Sequence, residues 1–319
     1  MVRYVYLAEL RKIAFRPLSL LLLLVLGLGV LYTAWVAQDW SSGQTLLFKN
    51  ALVAAEHRQE CAGLKGAELR KCLTHPSYVP MAESDLRQQL ANDRAVAPTQ
   101  TVPGAFGWSA QTYASLPGFA IALLLGTALV AGEWERRTAT SLLIAQPDLR
   151  RVLLAKAMAL WTVLAAHMIV CGLVVALANV TYFQSHDKLY VPTPHGLALA
   201  EWVARQGGVG LVAMAVASVV VTLIAARSRT RALTFIAGGL LVLLANMGAS
   251  VKPVWAWLPG GILADAMDFQ TVFPLWNHWW GAASGSGMPL WLRAVPTVAL
   301  LAMAGLWLMR RVDSRDRVA

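Results

Sequence analysis

The amino-acid sequence predicts an all-α integral membrane protein with six transmembrane helices. Two features of the composition indicate this class: 57% of the residues are hydrophobic and only 14% are charged, whereas soluble domains carry about 25% charged residues. A third is the presence of six long apolar stretches, close to the roughly 20 residues that cross about 30 Å of hydrocarbon as a helix. These stretches lie at residues 17–37, 110–132, 155–180, 203–226, 232–250 and 290–309.

The distribution of basic residues predicts the side of the membrane on which each connecting segment lies. The six stretches divide the chain into seven segments. With their flanks, the first, third, fifth and seventh segments hold 16 Lys and Arg and 6 Asp and Glu, which accounts for the whole formal charge of +10. Short basic loops stay on the cytoplasmic side. We therefore expect both termini to be cytoplasmic (N-in/C-in).

Residues 1–39 are expected to form an interfacial N-terminal helix followed by the first transmembrane helix. Helical spacing predicts an apolar stripe on the first of these helices, made of Tyr6, Leu7, Leu10, Ile13 and Ala14. The opposite, polar face is expected to carry Glu9, Lys12 and Arg16. Pro17 marks the turn into the membrane, because the residue before a proline avoids helical backbone.

Residues 40–108 are expected to form a helical cap outside the membrane, between helices 1 and 2. Cys61 and Cys72 lie in this cap, and on one straight helix their Cα atoms would be about 16 Å apart. A disulfide needs about 7 Å or less, but the intervening glycines allow a bend. We predict a helical hairpin closed by a Cys61–Cys72 disulfide. Two free thiols, or a tetrahedral metal site, remain open alternatives. The metal ligands would be His57, Cys61, Cys72 and His75.

Residues 109–319 are expected to hold transmembrane helices 2–6 and a cytoplasmic loop at residues 133–152. Before the sixth helix, residues 251–289 are rich in Pro, Gly and Trp and are apolar without reaching spanning length. Re-entrant helices that enter the outer leaflet and return would fit this segment, provided that protein buries their backbone.

The sequence lacks the motifs of several chemistries. No G-x-x-x-x-G-K-[ST] loop occurs, so the chain is not expected to hydrolyse ATP itself. No H-E-x-x-H pattern or pair of carboxylates within an apolar stretch indicates an enzyme, and we predict no catalytic residue. Nucleic acid is not an expected partner, because the basic residues are spread over four short segments and form no single patch.

The loop after the second apolar stretch has the most distinctive sequence of the chain. It begins Gly-Glu-Trp-Glu-Arg-Arg-Thr from Gly132, continues through a short amphipathic stretch, and reaches Lys156 at the start of the third apolar stretch. This segment resembles the loop between the second and third spans of ABC-2 type permeases, the membrane subunits of ATP-driven exporters. The matching residues are Glu135, Thr138, Leu142, Leu143, Pro147, Arg150 and Lys156. Arg137 stands where that family usually has glycine.

The resemblance implies that this loop couples the chain to a separate ABC ATPase. The residues that would take part are Glu133, Glu135, Arg136, Arg137, Thr138, Leu142, Leu143, Pro147, Arg150 and Arg151. It also implies two copies of that ATPase, which would bind ATP and Mg, and a second permease chain, identical or homologous.

The resemblance further implies a place in the bacterial or archaeal cytoplasmic membrane, among its lipids. The nearly uncharged apolar stretches favour a hydrophobic or amphipathic substrate that is exported from the cytoplasm. The alternative is a membrane sensor or immunity protein that binds a ligand through its outer cap and transports nothing.

Overall fold

The structure, a computed structural model, describes residues 2–34, 63–68, 101–136, 138, 148–180, 195–246, 256–267 and 288–316. Regular structure within these residues is helical, as the sequence predicts, and contains no strand. The helices discussed below are α1 (Val2–Phe15), α2 (Pro17–Ala34), α3 (Val102–Tyr113), α4 (Leu116–Glu135), α5 (Leu149–Ala178), α6 (Gly196–Ser228), α7 (Arg231–Asn246), α8 (Pro259–Ala266) and α9 (Leu290–Asp316).

Four of the described helices, α2, α4, α5 and α6, are long and apolar enough to cross a membrane. They lie where the first four spans are predicted, which supports a multi-pass membrane protein. Helices α7 and α9 lie at the predicted fifth and sixth spans. Their apolar parts within the described residues are shorter, Arg231–Leu243 and Leu290–Gly305. Six crossings, and the side of the membrane on which each terminus lies, stay predictions.

The second predicted span differs from expectation, because it is broken between α3 and α4. Pro117 has no N–H to donate to the Tyr113 carbonyl four residues earlier, so a continuous helix would lose a hydrogen bond at this point. The Ser115 hydroxyl instead donates to the Thr112 carbonyl at 2.5 Å. Helix α3 begins at Val102, so residues 102–108, which the sequence assigned to the cap, form part of this helix.

Helix α5 packs against α1, α3, α4 and α6 and runs antiparallel to α3 and α4. Near its start, Lys156 contacts Glu133 at the end of α4. Further along, the Met168 carbonyl accepts a hydrogen bond of 2.7 Å from Ser109 of α3. Leu160, between these two contacts, is fully buried. The helix α1, the end of α4 and the start of α5 meet at one end of the bundle. We call this end the base.

Helix α6 runs parallel to the broken pair α3–α4 and packs closely against both. Gly107 of α3 lies against the ring of Trp202, and Gly126 of α4 lies against Val221. The indole N–H of Trp161 on α5 donates to the Leu211 carbonyl of α6 at 3.0 Å. These contacts join α3, α4, α5 and α6 into one core.

Helix α8 lies at the opposite end of the bundle from the base, where re-entrant helices are predicted. Its C-terminal end is held by Arg205 of α6, whose Nε donates to the Ala266 carbonyl at 2.6 Å. Asp265 pairs with Arg293 of α9, a side chain that is almost fully buried. A helix before α9 is therefore present, while its entry into the membrane stays a prediction.

Candidate functional site at the base of the bundle

Four charged side chains form a closed ring at the base of the bundle. Lys12 Nζ lies 2.9 Å from Glu9 Oε1 and 2.7 Å from Glu133 Oε1. Lys156 Nζ lies 2.8 Å from Glu133 Oε2 and 3.0 Å from Glu9 Oε2. Each ammonium group therefore contacts both carboxylates. We call these four residues the ionic ring; it joins α1, α4 and α5.

The ionic ring is largely removed from solvent. Glu9 is 0% exposed, Lys156 is 3% exposed and Glu133 is 6% exposed, while Lys12 faces partly outward. Burial of an unpaired charge would cost several kcal/mol, but the two ammonium and two carboxylate groups balance one another. The contact of Lys156 with Glu9 Oε2 is an ion pair without the geometry of a directed hydrogen bond. The ring is thus electrically neutral and depends on all four members.

The pKa of Lys12 is raised by its contacts in the ionic ring. Burial of its side chain by itself lowers the pKa of Lys12. Its hydrogen bonds to Glu133 and Glu9, and the negative charges of these two groups, raise that pKa and outweigh the effect of burial, so it lies above the usual 10.5. Lys12 is therefore a cation throughout the physiological pH range.

Local structure in three helices brings the ring together. Glu9 and Lys12 are three residues apart on α1 and so share one face. Glu133 follows a π-helical turn, Thr127–Ala131, and the extra residue of such a turn offsets later side chains by about 100° compared with a regular α-helix. Lys156 is two turns into α5. That helix begins at the N-cap Asp148, whose carboxylate accepts a hydrogen bond from the Arg151 N–H.

The residues next to Glu133 connect the end of α4 to a different pair of helices. Glu135 accepts a hydrogen bond of 2.6 Å from the Arg231 N–H, and its carboxylate lies 3.1 Å from Arg231 Nε. The Arg229 guanidinium lies 4.4 Å from the ring centroid of Trp134, a cation–π contact. Arg229 ends α6 in the left-handed region, at φ 57°. The sequence Glu133-Trp134-Glu135 therefore contacts α1 and α5 through its first residue and the α6–α7 turn through the other two.

The structure separates the predicted coupling residues into three groups. Glu133 is buried in the ionic ring, and Glu135 is paired with Arg231. Glu135 is exposed although it is paired, and the other exposed members are Arg136, Thr138, Arg150 and Arg151. Of these, Thr138 donates to the Glu133 carbonyl at 3.3 Å, and Arg151 Nε lies 2.8 Å from Asp148. The members outside the described residues are Arg137, Leu142, Leu143 and Pro147.

The prediction for Glu9 and Lys12 is wrong. The sequence placed both on the polar face of an interfacial helix, opposite its apolar stripe, yet Glu9 is fully buried and Lys12 points toward Glu133. Helical periodicity predicted only that the two residues share a face. It could not predict that α4 and α5 supply the opposite charges that make burial of that face possible. A signal was present in the sequence, since Glu9 is the only acidic residue of α1 and has a lysine three residues later.

The predicted metal and disulfide sites are not part of the described structure. The four residues concerned, His57, Cys61, Cys72 and His75, lie outside the described residues. The disulfide, the metal site and the two free thiols therefore all stay predictions. Among the residues that the structure describes, no group of three or more His, Cys, Asp or Glu side chains is placed to hold a metal ion.

The cysteine that the structure does describe lies in a polar cluster between α2, α3 and α5. Cys171 is a buried free thiol, 3.7 Å from the Tyr113 hydroxyl. Tyr113 is hydrogen-bonded to His167 Nδ1, one turn before Cys171 on α5. Gly27 of α2 lies against the side chains of His167 and Cys171. These residues satisfy one another's polar groups within an otherwise apolar core.

The sequence was compared with protein-family models, curated proteins and solved structures, and none of the three comparisons gave a match.

Proposed function

We propose that the chain is the permease subunit of an ABC-2 type exporter, which moves a hydrophobic or amphipathic substrate out of the cytoplasm. A separate ABC ATPase, present in two copies with ATP and Mg, would drive it, and a second permease chain would complete the path. The proposal is supported by the resemblance of the segment Gly132 to Lys156 and by the way in which the structure holds the two ends of that segment.

The observation that carries the proposal is the ion pair between Glu133 and Lys156. Glu133 begins the predicted coupling loop, at residues 133–152, and Lys156 lies four residues after its end. Their charged groups are 2.8 Å apart in a buried ring. The loop therefore leaves and re-enters the bundle at one fixed point. A force applied to such a loop acts on α4 and α5 together, and the ring extends that action to α1, so that the three helices can move as a rigid unit.

The same loop is linked to the other side of the bundle. Through Glu135 and Arg231, and through Trp134 and Arg229, the end of α4 is attached to the turn between α6 and α7. A movement of the loop would thus reach five helices over a few contacts. An ordinary connecting loop needs no such attachments, whereas a loop that transmits force from an ATPase does.

The surface of this region is suited to a protein partner. Arg150 and Arg151 are exposed on the first turn of α5, beside the point where the loop returns. On the proposed topology they face the cytoplasm, as do both termini, and α7 and α9 form the fifth and sixth crossings. Exposed guanidinium groups of this kind contribute to partner choice and to the rate of association.

The test is co-expression of the chain with an ABC ATPase encoded by a neighbouring gene. We expect the two proteins to purify together. The double variant Arg150→Glu and Arg151→Glu is expected to fold normally and to weaken association by about tenfold, because opposed charges become like charges across the interface. Lys65→Glu, an exposed charge reversal in the predicted outer cap, is the matched control and is expected to change nothing.

A second variant separates docking from coupling. Glu133→Gln combined with Lys156→Gln removes one charge of each sign from the ring. We expect it to keep the ATPase bound but to lose stimulation of ATP hydrolysis by substrate. Unchanged association of the Arg150 and Arg151 variant would contradict the docking role of these residues. A chain that binds a ligand through its cap and recruits no ATPase would contradict the exporter and favour the membrane sensor.

A further inference from the structure

Helix α1 has a second face, pointing away from the ionic ring, which carries two basic side chains among apolar ones. We call it the outward face; its exposed residues are Arg3, Tyr4, Leu7, Ala8, Arg11, Ala14 and Phe15. Their spacing follows one side of an α-helix. Tyr4 and Phe15 are each 78% exposed and Leu7 is 41% exposed. Exposure of a group of large apolar side chains to water is unfavourable, so such a group indicates a contact surface.

The ionic ring determines the charge of this face. It draws Glu9, the only acidic residue of α1, completely inside the protein, together with the ammonium group of Lys12. On the same inner side Ile13 is buried and Tyr6 donates a hydrogen bond to Thr162 of α5. The outward face is left with Arg3 and Arg11 and with no carboxylate. Neither arginine pairs with an acidic side chain among the residues that the structure describes.

The outward face continues into the side of α2 that faces away from the bundle. Phe15, at the end of α1, is followed by Leu18 and Leu21, which are both more than half exposed. Helix α2 is one of the helices long and apolar enough to cross a membrane, and in a bilayer its exposed leucines would face hydrocarbon. The occupant of the outward face is therefore continuous with the lipid that surrounds α2.

We propose that the outward face of α1 binds the headgroups of anionic phospholipids. Arg3 and Arg11 would donate hydrogen bonds to phosphate oxygens, for which the planar guanidinium group is well suited. Tyr4, Leu7 and Phe15 would enter the boundary between headgroups and acyl chains, as in other interfacial helices. The anchor would hold one side of α1 in the leaflet while the ring holds the other side on α4 and α5. This inference does not depend on the exporter assignment.

The test uses the full-length chain in nanodiscs of phosphatidylcholine mixed with phosphatidylglycerol. A photoreactive p-benzoylphenylalanine replaces Leu7 on the outward face, and in a matched control it replaces Leu24, an exposed residue of α2. After illumination, mass spectrometry measures the ratio of phosphatidylglycerol to phosphatidylcholine adducts. We expect enrichment of phosphatidylglycerol at position 7 and the bulk ratio at position 24.

Substitution of the two arginines then identifies the cause of the enrichment. Arg3→Gln and Arg11→Gln are each expected to lower the enrichment at position 7 by about fivefold. The ratio at position 24 should not change, which would show that the variants are still inserted. Equal ratios at the two positions, or enrichment that survives both substitutions, would overturn the proposal. Adducts to a protein at position 7, obtained in native membranes, would overturn it in favour of a protein partner.

Discussion

The ammonium group of Lys156 lies 3.0 Å from the carboxylate of Glu9, although the two residues belong to distant parts of the chain. Both side chains are almost completely buried. The contact attaches the N-terminal helix to the start of α5, and Glu133 and Lys12 complete the ring around it. Because the ring holds Glu133 and Lys156 together, it fixes the two ends of the predicted coupling loop relative to each other.

Loss of one member of the ionic ring should destabilise the protein strongly. Lys156→Gln leaves two carboxylates facing a single ammonium group, and we expect a loss of about 3–5 kcal/mol, as for other buried ion pairs that lose one partner. The double variant with Glu133→Gln restores the charge balance and should recover part of that loss. Unfolding in detergent micelles measures both effects. Arg151→Gln, which removes an exposed pair with Asp148, is the control and should cost less than about 1 kcal/mol. Equal effects of Lys156→Gln and Arg151→Gln would contradict the burial of the ring.

The contribution of Lys12 should disappear only at high pH. Because the pKa of Lys12 is raised in the folded protein, its stabilisation is fully present below the pKa of an unfolded lysine, about 10.4. It is lost as the pH rises through the higher folded value. The stability difference between the native chain and Lys12→Gln should therefore be constant from neutral pH to about pH 10 and shrink above it. Lys12→Arg, which keeps its charge, should show no such alkaline loss. A difference that already shrinks between neutral pH and about pH 9 would be incompatible with a raised pKa.

The break between α3 and α4 should depend on a glycine. A Cβ atom at Gly118 would overlap the Tyr113 carbonyl oxygen, and this atom belongs to the backbone and cannot rotate away. We expect Gly118→Ala to lower the thermal stability clearly, by a few kcal/mol. Gly29→Ala in α2 is the control, since nothing lies within 4 Å of its added Cβ and alanine favours the helix by about 1 kcal/mol. Similar melting temperatures for the two variants would show that the break is more relaxed than the structure indicates.

The first predicted span can be tested by a single charge. Leu24 is exposed in the middle of α2, and Leu24→Lys should cost about 3 kcal/mol at the centre of a bilayer. We expect reduced membrane insertion, measured by accessibility of tags at both termini in intact cells. Ala8→Lys, on the exposed side of α1, should insert normally. If Leu24→Lys inserts as well as the native chain, α2 does not cross the membrane. In the native chain, a terminus reachable from outside the cell would contradict the predicted orientation.

The polar cluster around Cys171 lies within the helical bundle, and only part of it could be predicted from the sequence. The sequence identifies His167 and Cys171 as neighbours on one face of a helix, because they are four residues apart. Tyr113 enters the cluster only because the second span is broken and α3 lies against α5. The presence of Pro117 in the sequence indicates that the helix can break at this point. The path of the chain after the break, however, depends on packing against α5 and α6.

Local physical chemistry in the sequence was sufficient to predict the helical class, the approximate positions of four helices long and apolar enough to cross a membrane, and the distinct character of the loop after Gly132. Hydrophobicity over about 20 residues and the spacing of polar groups are properties of neighbouring residues, and these can be read directly. The tertiary structure alone decided that Glu9 turns inward and that Glu133 and Lys156 meet there. Charges can be buried only when opposite charges arrive from other helices, and no local pattern specifies which helices those are.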